Sequence, residues 1–232
     1  MAKTAARGGR SKAATFGPGR KRPSARAAAK AANSAVAGTS APALDTIFDY
    51  VRHAAATLTR ARVTFAHGTT DPVAEAAFLV GEAMQLHPDE VEPQAARRVP
   101  ETAGRRILGW IEQRIVTRKP AAYLVNRMYM RGLPFYVDER VIVPRSFIGE
   151  LLDSHFGGDE VLRLRDPETV TRVLDLCTGS GCLAILAARA FPNANVDATD
   201  LSADALAVAS RNVREHGLDD RIQLAQGDLF AA

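Results

Sequence analysis

Few folds can accommodate the stretch Val173-Leu174-Asp175-Leu176-Cys177-Thr178-Gly179-Ser180-Gly181-Cys182. It reads as a buried strand that runs into a glycine turn and then into a helix over Leu183–Ala188. Such a turn exposes backbone N–H groups at the next helix's start, and Gly179 and Gly181, lacking Cβ, let a ligand lie against the main chain. Nineteen residues past Gly181, at the tip of the apolar run that begins at Val196, stands Asp200. A carboxylate at that place and distance accepts hydrogen bonds from ribose hydroxyls. The chain is organised around a site for an adenosine-containing cofactor.

The residues around that turn continue the pattern. Strand Val173–Cys177 and helix Cys182–Phe191 are followed by strand Val196–Asp200, then by a helix with Ser202 as its N-cap, Asp204 in its first turn and Gly217 beyond its end. Asp219-Asp220 turns into a strand over Arg221–Ala225, and Gly227-Asp228-Leu229-Phe230 follows it. Alternating units of this length predict an α/β, Rossmann-like domain whose parallel sheet has the order 3-2-1.

Upstream the periodicity is helical. Leu44, Ile47, Phe48, Val51 and Ala55 share one face, and Val73, Ala77, Val80 and Met84 share another after the cap Asp71-Pro72. Ile107, Leu108, Ile111 and Ile115 form a third stripe, with Arg105, Arg106, Glu112 and Arg114 outside it. Residues 44–126 thus predict a small helical bundle. Residues 127–146 predict a β-hairpin connector, Leu133–Val137 pairing with Val141–Val143 across Asp138-Glu139-Arg140. Residues 147–232 hold a short amphipathic helix, a charged connection and the β-α-β units.

The net charge of +4 misleads, because residues 1–44 carry nine Lys/Arg and no Asp/Glu, leaving 21 basic against 26 acidic residues beyond. Residues 1–43, rich in Ala and nearly free of large apolar side chains, predict a disordered basic tail suited to salt-sensitive contact with RNA or the ribosome. An organellar transit segment is the alternative. No apolar run is long enough to span a bilayer. Cys177 and Cys182 flank the turn without metal or redox spacing and point to a reducing, cytoplasmic setting. Cys182 reads as a small apolar filler, or as an acidic thiol at a helix start. The histidines His53, His67, His87, His155 and His216 have no metal-ligand spacing.

Spacing alone leaves the cofactor ambiguous. Gly179-x-Gly181-x-x-Ala184 satisfies the permissive dinucleotide pattern, so an NAD-dependent oxidoreductase is a live alternative. Asp175 argues against it, since a carboxylate ahead of the turn repels pyrophosphate and attracts a sulfonium or an ammonium group. Asp175 is also readable as a helix-capping carboxylate. Asp228 supplies a further carboxylate, placed to meet an adenine amino group.

The segments Phe135–Ser146 and Asp175–Cys182, read together, resemble the S-adenosylmethionine-dependent protein-glutamine methyltransferases. His67-Gly68-Thr69, Phe191-Pro192-Asn193-Ala194 and Ser202–Ala209 are most similar to the branch that methylates the third protein of the large ribosomal subunit; the sister branch acts on release factors. The resemblance covers about residues 44–230. It implies a class I methyltransferase domain, of which 147–232 is the N-terminal half, with S-adenosyl-L-methionine as cofactor and a ribosomal protein as partner. It also implies that Cys177, Thr178, Gly179, Ser180 and Gly181 wrap the methionine end with Asp175 nearby. Asp200 then binds the ribose, Asp228 and Leu229 border the adenine, Arg145 lines the pocket, and the bundle recognises the substrate. The family's acceptor motif, Asn-Pro-Pro-Tyr, is absent from these 232 residues. The expectation is therefore a C-terminally truncated chain that binds cofactor without turnover, its catalytic residues unknown. A release-factor glutamine methyltransferase, a nucleic-acid adenine amino-methyltransferase and a non-catalytic ribosome-binding module are the other readings.

Overall fold

The computed structural model describes residues 44–65, 69, 71–156, 164 and 166–231. The basic tail, His67-Gly68 and residues 157–163 of the connection lie outside the described residues, and the expectations for them with it.

Helix α1 (Ile47–Arg60) opens on a capping box in which the Thr46 hydroxyl accepts from the Asp49 N–H and the Asp49 carboxylate accepts from the Thr46 N–H. Helix α2 (Pro72–Met84) begins, as expected, with Asp71 as cap and Pro72 at its first position. A short turn α3 (Pro88–Val91), the long α4 (Glu101–Thr117) and α5 (Ala121–Val125) complete the bundle. Its core gathers Ile47, Tyr50, Leu58, Val80, Ile107 and Ile111.

The inner faces differ from the expected stripes. Phe48 and Val73 are each 57% exposed and Leu108 is 41% exposed. Alanines at 54, 76 and 83 take inner positions instead, where their small side chains let the helices approach closely. Phe48 faces outward with the Arg52 guanidinium 5.6 Å from its ring centre.

Arg114, expected outside the α4 stripe, is buried. Its Nε lies 2.7 Å from Oε1 of Glu75, with the two side chains 3% and 2% exposed. The guanidinium also donates to the carbonyls of Thr64 and Arg118, and the Thr69 hydroxyl donates to Glu75. Opposite charges tolerate such burial only when their remaining donors and acceptors are filled, as they are here.

The hairpin lies earlier than expected. Strands β1 (Met128–Met130) and β2 (Leu133–Phe135) pair antiparallel in the register Met128↔Phe135 and Met130↔Leu133. Arg131 and Gly132 both have positive φ, 50° and 76°, which is the twist-matched type I′ arrangement. Residues 137–143 form a loop and not the second arm. Asp138 accepts from the Arg140 N–H, the Arg140 guanidinium and the Tyr136 hydroxyl, offering the chain a local alternative to a ladder. Its carboxyl is held well below the usual range, chiefly by Arg140. Val137, Val141 and Val143 still bury their side chains, in the second core. Helix α6 (Ile148–Asp153) follows, the Ser146 hydroxyl accepting from the Ile148 N–H.

Strands β3 (Arg172–Leu176), β4 (Asn195–Asp200) and β5 (Ile222–Gln226) form a parallel sheet in the order β3-β4-β5, as the β-α-β pattern predicts. Helix α7 (Cys182–Ala190) and helix α8 (Ala203–Glu215), which starts on Ser202 as expected, connect them. Register places Leu176 beside Thr199 and Asp200 beside Gln226, so the carboxyl ends of the strands line up. Strand β3 lies at the edge, with Leu174 49% exposed. Among the described residues no helix is long and apolar enough to cross a membrane.

Candidate functional site

The strand tips and the turn between β3 and α7 converge. Cys177 adopts the left-handed conformation at φ 58°, which ends the strand and swings the chain over the sheet. The Thr178 N–H then donates to Thr199 O at 2.9 Å, stitching the turn to β4. The Gly179 N–H donates to Oδ2 of Asp200 at 2.9 Å, and the Gly181 N–H to Thr178 O at 3.0 Å.

These bonds narrow one expectation, that the turn would leave its donors free for a ligand. The N–H groups of Thr178, Gly179 and Gly181 all have partners within the chain.

The two glycines also divide their duties. Gly179 has φ +56°, and a Cβ built there meets nothing within 4 Å, so the main chain faces open space. Gly181 has φ +79°, and its Cβ would stand 3.2 Å from Cβ and 3.3 Å from Cα of Ala209. The missing side chain at Gly181 serves the packing of α8; the open face of the main chain is at Gly179.

Asp175 is partly buried beneath the turn. The Thr178 hydroxyl donates to its Oδ2 at 2.6 Å. Burial raises its pKa above the ordinary carboxylate value, against the opposing pull of hydrogen bonds from Thr178 and the Ala184 N–H; nearby Asp200 raises it further. The Ala184 contact, in the first turn of α7, supports the capping reading, because Gly181 has no side chain with which to cap that helix.

Asp200 projects from the tip of β4 with its orientation set in advance. One oxygen takes the Gly179 N–H and the other takes the Ser202 N–H at 2.9 Å. An ionised carboxylate has about four acceptor positions, so about two remain for outside donors. The Gly227 N–H donates to Asp200 O, tying the end of β5 to this tip. Beyond it Asp228 and Leu229 are exposed, Leu229 at φ 53°.

Asp175, Cys177, Thr178, Gly179, Ser180, Gly181 and Asp200 are thus brought together by contacts, with Asp228 and Leu229 on the adjoining strand end. Arg145 is placed differently: it is exposed and borders a groove with Met130, Pro144, Phe147 and Glu150 that includes no residue of the turn. Cys182 is buried with its Sγ 3.1 Å from the Ser180 hydroxyl, and burial pushes its thiol up to about 12. It fills space and is no acidic thiol. Asn212 escaped sequence reasoning. It is completely buried on α8 and touches the turn, and its only signal was a polar residue on the stripe of Ala205, Val208, Ala209 and Val213.

The donor set has a chemical consequence. A pyrophosphate needs free N–H groups at a helix start, whereas this turn spends those of Thr178, Gly179 and Gly181 within the chain and carries two carboxylates, Asp200 lying near enough to raise the pKa of Asp175. Such a surface suits hydroxyl donors and a cation lying over bare main chain.

A family model described as a methyltransferase domain matches residues 173–232. Over 213 residues the chain is 62% identical to a Bradyrhizobium diazoefficiens protein named ribosomal protein uL3 glutamine methyltransferase, an alignment covering 88% of this chain and 67% of that one. Proteins of the same name from Burkholderia pseudomallei and Bordetella pertussis are 52% and 50% identical, over 83% and 82% of this chain and 62% of each relative. The chain therefore spans about two thirds of the length of these relatives or slightly less. An alignment that covers 88% of this chain takes in the bundle, the connector and the β-α-β units, and the chain belongs to the family of ribosomal protein uL3 glutamine methyltransferases.

Proposed function

We propose that the protein transfers a methyl group from S-adenosylmethionine to a glutamine side-chain amide of ribosomal protein uL3, and that Asp175–Gly181 with Asp200 hold the cofactor. The observation that carries the cofactor assignment is a glycine turn flanked by two carboxylates, in which the N–H groups of Thr178, Gly179 and Gly181 are spent within the chain. That arrangement favours a sulfonium nucleoside over a pyrophosphate. The relatives' name supplies the acceptor.

When bound, the cofactor supplies a methyl group activated by the positive sulfur. In this reading the two open acceptor positions of Asp200 take the ribose hydroxyls, in an orientation held by the Gly179 and Ser202 N–H groups. The bare main chain at Gly179 admits the cofactor closely, and the negative potential around Asp175 favours its cation. Asp228 and Leu229 border the adenine. Arg145 lies on the connector side, where its part is contact with the acceptor or the cofactor's outer edge. An amide nitrogen is a poor nucleophile, so the acceleration comes from alignment and exclusion of water and needs no strong base. The bundle at 44–126 docks the protein substrate, and the basic residues of 1–43 add attraction to ribosomal RNA.

The test is methyl transfer from labelled S-adenosylmethionine to isolated uL3, to release factor and to ribosomal RNA, read by mass spectrometry of the peptides and nucleosides. Label on a uL3 glutamine supports the proposal. Label on adenine instead, or on release factor in preference to uL3, overturns the acceptor assignment.

A further inference from the structure

Asn212 is the one fully buried amide against the turn among the described residues, and it is 0% exposed on a helix face otherwise made of Ala and Val. Its Oδ1 accepts from the Tyr136 N–H at 2.7 Å. Its Nδ2 donates to Tyr136 O at 3.0 Å and to Ser180 O at 2.8 Å. One side chain thus satisfies both backbone groups of a connector residue and the carbonyl at the heart of the glycine turn, 76 and 32 residues away in sequence.

The Ser180–Gly181 peptide is held at both ends, its carbonyl by Asn212 and its N–H by Thr178 O. One helical turn earlier on α8, Ala209 presses against Gly181. Helix α8 therefore grips the turn twice, by packing and by hydrogen bond. Without the amide, three backbone groups lose their partner, the buried Ser180 carbonyl among them, and the Ser180–Gly181 peptide keeps only the hydrogen bond at its N–H end.

We infer that Asn212 is a positioning residue for the cofactor turn, clamping the Ser180–Gly181 peptide to the connector at Tyr136. Through it the connector that leads from the bundle is joined to the surface on which the cofactor lies. The inference rests on the S-adenosylmethionine reading above. It assigns Asn212 no contact with the cofactor.

The test is calorimetric titration of the wild-type chain, Asn212→Leu and Asn212→Asp with S-adenosylhomocysteine, with thermal unfolding of each in parallel. Asn212→Leu is expected to weaken binding by about tenfold or more in protein that is still folded, the size of one lost buried hydrogen bond. Asn212→Asp supplies the readout that a merely structural role would not move. As a carboxylate it faces the oxygens of Tyr136 and Ser180. As a protonated acid it donates to one of them, so its affinity should recover toward wild type as the pH falls. Asp175 and Asp200 at the turn, Asp138 and Arg140 on the connector, and Arg211, Glu215 and His216 on α8, the last bonded through its N–H to Asn212 O and through its ring to Pro134 O, are common to both proteins, so the difference between the two pH curves reports position 212. If the wild type fails to bind, the cofactor reading falls and this inference with it. If the wild type binds while Asn212→Leu binds equally well, or Asn212→Asp follows the wild-type pH curve, the inference alone is overturned. Should the Leu variant not fold, the Asp variant decides.

Discussion

Replacing each glycine of the turn by alanine should produce two different defects. Both positions are left-handed, at φ +56° and +79°, and an L-residue there costs roughly 1–2 kcal/mol. At Gly179 nothing stands within 4 Å of the added methyl, so that strain is the whole stability cost. At Gly181 the methyl meets Cβ and Cα of Ala209 at 3.2 and 3.3 Å, and a backbone-adjacent contact yields poorly. Overpacking of this kind costs about 1–3 kcal/mol more. Gly181→Ala should then lose roughly 2–5 kcal/mol, and at roughly 2–4 °C per kcal/mol for a chain of this size its melting point should drop well below that of Gly179→Ala. Binding should divide the other way. The methyl at 179 enters the space where the cofactor lies, and a comparable overpacking cost paid there weakens affinity about 5- to 150-fold. Thermal unfolding and S-adenosylhomocysteine titration of the two variants provide both axes. A Gly179→Ala protein with unchanged affinity, or a Gly181→Ala protein as stable as wild type, would refute the division of labour.

Three other outcomes follow from the same geometry. Arg114→Met should destabilise by about 3–5 kcal/mol in urea unfolding because it strands a buried Glu75, while the double variant Glu75→Leu/Arg114→Met should recover much of that loss; a double variant no better than the single would contradict this. Asp175 has its native pKa raised from 3.8 mainly by burial, so the unfolded chain gives up this proton first as pH rises. Its contribution to stability is present below that value and is lost as pH climbs through the raised one. Unfolding free energies of wild type and Asp175→Asn measured across that window should therefore diverge in favour of Asn, and parallel curves would refute the burial effect. Iodoacetamide at mildly alkaline pH should modify the exposed Cys177 and leave Cys182 untouched until urea is added, as counted by intact mass.

What sequence made legible was local. Strand and helix limits in the β-α-β region followed from apolar runs, the Ser202 cap and Gly217, each of which acts within a few residues. The gathering of Asp175, Gly179 and Asp200 followed too, because parallel strands joined by helices bring their carboxyl ends together. Hidden were the features that depend on partners far along the chain. Arg114 looked like a surface cation until Glu75, 39 residues away, met it. The helix faces were misjudged because stripes were drawn through the largest side chains, whereas close helix contact favoured Ala54, Ala76 and Ala83. The hairpin shifted because Arg131, at positive φ, carries no turn signal, and because Asp138 captured its own neighbours. The distinct roles of Gly179 and Gly181 required Ala209, whose proximity no spacing rule announces.

The central claim is that the turn between Asp175 and Asp200 receives a sulfonium nucleoside. Calorimetric titration of the purified chain with S-adenosylhomocysteine and with NAD, repeated on Asp200→Ala, tests it directly. The account predicts saturable binding of S-adenosylhomocysteine, no binding of NAD, and at least about a tenfold loss on removing the Asp200 carboxylate that receives the ribose hydroxyls. Binding of NAD in preference to S-adenosylhomocysteine, or affinity indifferent to Asp200, would contradict it.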